Sequence, residues 1–450
     1  MVVTRIPPSP TGHLHIGTTR TALFNYLYAK HEGGKMFFRS EDTDKERSRK
    51  EYEDEIISGL QLLGIKWEND TIWRQSERGE VYKKYLESGI ERGTLYISKE
   101  PSRKDAAEMV EVVRLKNPNK AITFNDLVRG DITFDTTELG DLVVARSIDD
   151  ALYHFTVVVD DYEMGVTHVL RGEDHISNTP RQILIQEALG FSRPIYAHLP
   201  LILAPDRSKL SKRHGAVALQ EYLDEGFLPS AIVNYLALLG WNPGTDQEIF
   251  YTMDELVEQF SLDGIQKSGA VFDKQKFLWV NKEHLQRLSD NDYLKMLEQD
   301  FPAHLKKLPE FNEDRLRKLL PVIRERIGIR KEFTEAAEAG EYDFAFATPK
   351  LALEMLKWKN DNTEAEALPR LAKCSEILSD ADFSSPDSIK EALWAYVEET
   401  GKGEVLWPLR VALTGLKRSP DPFTIAYIIG RESTLERIQA VIVKLDDRKT

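Results

Sequence analysis

The stretch that most constrains this chain is Arg5 to Gly17, R-I-P-P-S-P-T-G-H-L-H-I-G, with the residues that follow it. Val2 to Ile6 suits a short buried strand, and Pro7-Pro8 turn the chain out of it. Beyond Gly17, Ala22, Leu23, Tyr26 and Leu27 recur at helical spacing, Thr18 or Thr19 can cap the start, and Gly33-Gly34 end the run. Strand, glycine turn and helix start together aim backbone N–H groups and a positive dipole end at one point, an arrangement that holds phosphate. Gly17 suits such a place because no Cβ stands between the backbone and a nucleotide. His15, on the turn, can donate a hydrogen bond to a phosphate oxygen. The fold class that follows is α/β, with a doubly wound parallel sheet.

Many such domains open this way, so a second motif decides more. Lys209 to Arg213 reads K-L-S-K-R, behind the turn A-P-D-R-S and ahead of His214-Gly215. The pair resembles the HIGH and KMSKS elements of class I aminoacyl-tRNA synthetases. The words around it, R-S-E-D-T-D, V-V-V-D-D and V-L-R-G-E-D-H-I-S-N-T-P-R-Q, are similar to those of the bacterial-type glutamyl-tRNA synthetases. The resemblance runs from Arg5 to about Ser268, and more loosely to R-V-A-L-T-G near the C-terminus.

This resemblance implies a glutamate–tRNA ligase. L-glutamate would be activated by ATP to glutamyl-adenylate and passed to the 3′ end of tRNA(Glu), with tRNA(Gln) left open as a second acceptor. Catalytic roles would fall to His15, Lys209 and Lys212, with Lys212 ranked above Lys209. ATP, entering with Mg²⁺, would meet Pro8, Ser9, Gly12, His15, Gly17, Thr18, Asp174, Lys209, Ser211, Lys212 and Arg213. Glutamate would lie among Arg5, Ser9, Glu41, Tyr153 and Arg171, where either guanidinium could take a carboxylate bidentately. Asp44 would approach the terminal ribose of tRNA, and Arg410, Ser419 and Pro420 the anticodon bases. Three departures from the family pattern stand out. Thr18 ends the HIGH element, Pro7 replaces the usual Ala and loses a backbone N–H, and L-Y-I-S-K-E stands where some members carry a cysteine-rich zinc knuckle.

Plainer readings accompany several of these residues. Glu41 to Asp44 would serve as a capping cluster for a helix near Arg47, Tyr153 as a packing residue, Arg171 as half of an ion pair at a strand end, and His175 as a structural residue. His13, His154, His168, His198 and His214 lack the spacings of metal sites and read as surface or satisfied core histidines.

In domain terms, residues 1–74 and 149–221 are expected to form the Rossmann-type catalytic domain, split by an α+β insertion at 75–148 that handles the tRNA acceptor end. Residues 222–317 are expected to contact the tRNA stem, and 318–450 to form an α-helical anticodon-binding domain. Phe155 to Asp161, Val166 to Arg171 and Ala197 to Ala204 read as strands; Arg181 to Leu189, Leu316 to Ile329, Pro349 to Trp358, Ile389 to Glu398 and Pro422 to Val443 read as helices.

Composition sets outer bounds. A length of 450 residues suggests two to four domains. No apolar run nears the ~18 residues of a membrane span and no apolar signal core opens the chain, so a cytoplasmic location without a membrane partner is expected. A monomer is expected with the family resemblance. Cys374 is the single cysteine, which excludes an intramolecular disulfide and any cysteine-rich zinc site, so no structural zinc is expected. A net charge of -14 argues against indiscriminate nucleic-acid binding but leaves room for a local basic path. Four rivals stand against the ligase. Glutaminyl-tRNA synthetases usually end in β-barrels and glutamyl-queuosine synthetases lack the long tail. An inactive tRNA-binding paralogue would have lost His15 or Lys212, and a nucleotidyltransferase outside the synthetases needs neither tail nor insertion.

Overall fold

The computed structural model describes residues 1–102, 108–211, 213, 217–359 and 361–448. It divides into two compact units, Met1–His284 and Leu285–Thr450. The break falls ahead of the boundary expected at 318, so residues 285–317 belong to the second unit.

In the first unit, strand β1 (Val3–Ile6) pairs in parallel with β2 (Lys35–Ser40), which pairs in parallel with β3 (Trp73–Arg74). Helix α1 (Ile16–His31) connects β1 to β2, and α2 (Lys50–Leu62) lies between β2 and β3 in the chain. Next come α3 (Gly79–Glu91) and six strands: β4 (Leu95–Pro101), β5 (Met109–Leu115), β6 (Ala121–Asp126), β7 (Gly130–Asp135), β8 (Leu142–Ser147) and β9 (Asp150–Ala151). The second half follows with α4 (Tyr153–Glu163), β10 (His168–Gly172), α5 (Thr179–Leu189), β11 (Ile195–Leu199) and β12 (Ile202–Leu203). β10 and β11 pair in parallel. The two halves are sewn together beside β1, where Val3 N–H donates to Thr167 Oγ1 and Thr167 N–H donates to Val3 O.

The insertion is not an appended lobe. β4, β5, β8 and β9 form an antiparallel sheet, while the β6–β7 hairpin joins the parallel sheet, Asp126 standing opposite Tyr196 of β11. Leu86, Leu95, Val113 and Phe124 share one apolar cluster with Phe155, Val159, Ile183 and Tyr196. At about 1.5–3 kcal/mol for each large side chain buried, this common core stabilises residues 82–145 together with the half that begins at α4.

Three sequence expectations require correction. Phe155 to Asp161 is not a strand but the body of α4. All seven residues are buried, so V-V-V-D-D shows no polar face from which a helical period could be read. The strand expected over Ala197 to Ala204 breaks at Pro200 into β11 and β12, and β12 pairs with Ala270–Val271 instead. Pro349 to Trp358 holds only one short 3-10 turn, Leu353–Leu356, because the backbone is extended at both flanks, Ala352 (ψ 116°) and Lys357 (ψ 121°), and the Met355 carbonyl accepts from Trp407 Nε1 (2.8 Å).

Helices dominate the second unit, among them Glu313–Arg326, Ala367–Asp380, Pro386–Thr400, Lys402–Thr414 and Pro422–Asp447. The last breaks at Gly430, whose φ of 80° lies where L side chains are strained. Among the described residues, no helix is long and apolar enough to cross a membrane.

Candidate active site

A cleft of about 640 Å³ opens at the C-terminal ends of β1, β2 and β10, where parallel sheets bind ligands. Its walls bring together Arg5, Pro8, Ser9, His15, Gly17, Thr18, Glu41, Tyr153, Arg171, Asp174 and Lys209 from the residues singled out in the sequence. Gly12, Ser211 and Arg213 do not line it, and Arg213 instead donates to Ser208 Oγ. Lys212 and His214 lie outside the described residues.

The turn before α1 differs from expectation. His15, not Thr18 or Thr19, is the N-cap, and its Nδ1 accepts the Gly17 N–H at 3.0 Å. The ring proton therefore sits on Nε2, the tautomer that can donate to a phosphate oxygen. A Cβ on residue 17 would stand 3.2 Å from His15 Nδ1, so glycine is what lets the ring close over the helix start. The segment that follows the second motif is laced to the first: Ile16 N–H donates to Val217 O and Leu219 N–H to Leu14 O. Lys209 is set by a tight turn in which Asp206 accepts from Ser208 and Leu210 N–H returns to Ile202 O, and its Nζ lies 3.1 Å from Asp174 Oδ2.

A buried charge network forms the floor. Arg39, fully buried on β2, meets Asp161 (2.9 Å) and Glu41 (3.0 Å), and Arg5 Nε meets Asp161 (3.2 Å). Burial pushes the Asp161 pKa upward, but Arg5 and Arg39 outweigh it and hold it below the usual carboxylate value. Glu41 goes the other way: burial lifts its pKa despite Arg39. Asp160 anchors the network to α3 by accepting from Gln75, Arg78 and Tyr82. Burial also pushes the Tyr153 hydroxyl up to about 12, with Glu41 adding to the effect, so it stays a neutral donor.

Glu41 and Asp44 thus part ways. Glu41 faces the cleft, whereas Asp44 is local, accepting the Arg47 N–H at 3.1 Å and Nε at 2.7 Å. Arg171 is no simple ion pair: it donates to Gln182, Thr179 and His198 (2.7, 2.7 and 3.1 Å). His175 lines the cleft, and Arg20, Thr21 and Pro200–Ile202, outside the expected site residues, line it too. Arg20 donates to the carbonyls of Leu239 and Pro200, so a buried cation props the wall. The signal for the floor was a charge inside an apolar strand, Arg39 in K-M-F-F-R-S. Among the described residues, no group of three or more His, Cys, Asp or Glu is placed to hold a metal ion.

In the second unit, Arg410 lies over the Trp407 ring (4.8 Å) and donates to Lys417 O, while Ser419 Oγ donates to Pro420 O.

Comparison with known proteins extends this picture. Residues 1–104 and 95–279 match the family described as tRNA synthetases class I (E and Q), catalytic domain, and residues 292–442 match an anticodon binding domain. The chain is similar to the glutamate–tRNA ligase of Thermodesulfovibrio yellowstonii, 40% identical over 98% of this chain and 99% of that protein. The ligase of Azorhizobium caulinodans is 40% identical over 97% and 98%. Among solved structures, the glutamate tRNA ligase of Elizabethkingia meningosepticum in complex with its amino acid superposes with a TM-score of 0.85 at 29% identity, covering 99% of both chains.

Proposed function

The chain belongs to the glutamate–tRNA ligases of the class I tRNA synthetases, and from that premise we propose how its own residues carry the attachment of glutamate to tRNA. One observation carries the reading: two guanidiniums, Arg5 and Arg171, and the buried carboxylate Glu41 share a cleft with His15 and Lys209. Glutamate has two carboxylates and one ammonium, the complement of that set. Glu41, its pKa lifted by burial, gains most from an incoming cation, so it receives the α-amino group. Arg5 and Arg171 take the carboxylates, with Ser9 and Tyr153 as neutral donors.

The α-carboxylate of glutamate attacks the α-phosphorus of ATP in line and releases pyrophosphate. The terminal ribose hydroxyl of tRNA then attacks the activated carbonyl. Neither step needs a covalent enzyme intermediate, so positioning and charge stabilisation carry catalysis. His15 Nε2–H and Lys209 meet charge on the phosphates, and Pro8, Ser9, Gly17, Thr18 and Asp174 shape the nucleotide's seat. Lys212, Ser211, Arg213 and Gly12 keep their family roles in this proposal, Lys212 as the main catalytic lysine. Mg²⁺ arrives on the phosphates of ATP. Asp44 approaches the terminal ribose, the insertion guides the acceptor end and residues 222–317 the stem. Arg410, Ser419 and Pro420 meet the anticodon of tRNA(Glu). The enzyme works as a cytoplasmic monomer.

Separate tRNA(Glu) and tRNA(Gln) transcripts, each offered labelled glutamate or glutamine, test the proposal. Glutamate on tRNA(Glu) is the expected product, and the tRNA(Gln) lane decides the second acceptor. Charging with glutamine in preference to glutamate would overturn the assignment of the two arginines.

A further inference from the structure

Two buried residues behind the cleft have no part in the chemistry above. His198 on β11 is fully buried, and so is Asp126 at the end of β6. Their contacts form a line. Asp126 Oδ2 lies 2.6 Å from His198 Nδ1, and the same carboxylate accepts the His198 backbone N–H. On the far side of the ring, His198 Nε2 stands 3.1 Å from Arg171 Nε. An arginine Nε–H can only donate, so Nε2 presents its lone pair and the ring proton sits on Nδ1, directed at Asp126. Burial first, with Arg171 adding to it, holds the His198 pKa below its ordinary value against the pull of Asp126, which agrees with a neutral ring.

Asp126 belongs to the insertion, not to the catalytic halves. Its Oδ1 accepts the N–H groups of Val128 (3.0 Å) and Arg129 (2.9 Å), so it also shapes the β6–β7 turn. From that turn Arg129 reaches Glu173 (2.5 Å), and Glu173 accepts the Leu201 N–H (2.8 Å) in the cleft wall. The turn therefore holds the cleft at two places, one through His198 and one through Glu173.

We propose that Asp126 and His198 are positioning residues for amino-acid binding: they select the imidazole tautomer that holds Arg171, so the β6–β7 turn of the insertion sets affinity for glutamate. Thr179, Gln182 and His198 fix three N–H groups of the guanidinium and leave its others for a carboxylate. This rests on the assignment of Arg171 to glutamate under the proposed function.

Asp126→Asn is the decisive variant because it keeps the shape and the Oδ1 acceptor. An Asn amide turned toward Nδ1 donates to it and drives the ring proton to Nε2, where it opposes the Arg171 Nε–H. KM for glutamate is expected to rise about 10–100-fold, as loss of a charge-assisted hydrogen bond predicts, with KM for ATP and kcat changed by less than about threefold. ¹⁵N spectra of histidine-labelled full-length protein, the His198 signal identified by its loss in His198→Gln, report the tautomer without any substrate. Nδ1–H in the wild type and Nε2–H in Asp126→Asn support the proposal. His198→Gln, which can offer Arg171 an oxygen near the Nε2 position, should keep the glutamate KM within about threefold while His198→Leu does not. A wild-type ring protonated on Nε2, or a tautomer switch with glutamate KM unchanged, overturns the relay. A merely structural role lowers the melting temperature and leaves the KM ratio alone, which overturns it equally. The ligase reading is judged separately, by whether wild-type protein charges tRNA with glutamate at all.

Discussion

In the first unit the buried guanidinium of Arg39 meets Asp161 and Glu41; in the second, that of Arg437 meets the backbone carbonyls of Phe344, Leu413 and Ala347 (2.8, 2.7 and 2.9 Å). Arg315 repeats the second pattern, donating to Ala345 O and to Ile429 O beside the Gly430 break. The electrostatics diverge accordingly. Carboxylates raise the Arg39 pKa in spite of burial, whereas burial lowers that of Arg437 to about 10. Charge set against charge suits a cavity that has to stay polar and open. Charge set against carbonyls closes a joint, since one planar fork can satisfy several chain ends that helices leave unpaired. Arg39 thus lies under the cleft of one unit and Arg437 among the helices of the other, although Arg20 of the first unit also donates to carbonyls, those of Leu239 and Pro200. Arg370 with Asp361 shows that the second unit also uses ion pairs.

The comparison can be broken most forcefully at Asp161. Asp161→Asn leaves Arg5 and Arg39 short of a buried counter-charge, and the first unit should lose about 3–5 kcal/mol by hydrogen exchange. Cys374 provides a reporter confined to the second unit: it is buried, and burial pushes its thiol up to about 12. Its labelling by a thiol reagent should not change in Asp161→Asn. Equal acceleration of Cys374 labelling would mean that the two units open as one.

His15→Ala should slow adenylate formation by about 10²–10³-fold, with kcat falling more than KM for ATP rises. Anticodon-arm binding, measured with the isolated RNA hairpin, should be unaffected. In the second unit, Arg437→Met deprives three carbonyls of their donor. A local loss of about 2–3 kcal/mol should follow, read as faster Cys374 labelling with near-normal adenylate formation.

The smallest effect is a pH response. Burial lowers the pKa of His154 and of His284 to about 4, both in the first unit. A folded value below the ordinary 6.5 favours the neutral ring, so this stabilisation is complete above pH 6.5 and is lost as pH falls toward 4. After solvent screening it amounts to about 1–2 kcal/mol per ring. Exchange protection in the first unit should decline through that window while Cys374 labelling, corrected for the reagent's own pH dependence, holds steady.

The sequence was most legible where geometry is local. The opening strand and helix follow from apolar spacing, and the cleft collects most of the motif residues that the family pattern pointed to. It was least legible where burial erases pattern: α4 is buried along Phe155 to Asp161, and its run of valines imitates a strand. The cap of α1 departs from the expected Thr18 or Thr19 because hydroxyl side chains usually fill that position, and here a ring nitrogen supplies the acceptor. Asp126 and His198 gave no local signal, since their pairing joins residues 72 apart in the chain.

His15 ties two otherwise independent requirements to one ring. Its near nitrogen closes a helix, and that closure decides which nitrogen is left holding the proton. Asparagine could supply the near acceptor but would lack the reach of the far donor, while glutamine would reach and cap poorly. Neither amide meets both demands. A serine there would satisfy the helix alone, with no donor left to face the cleft.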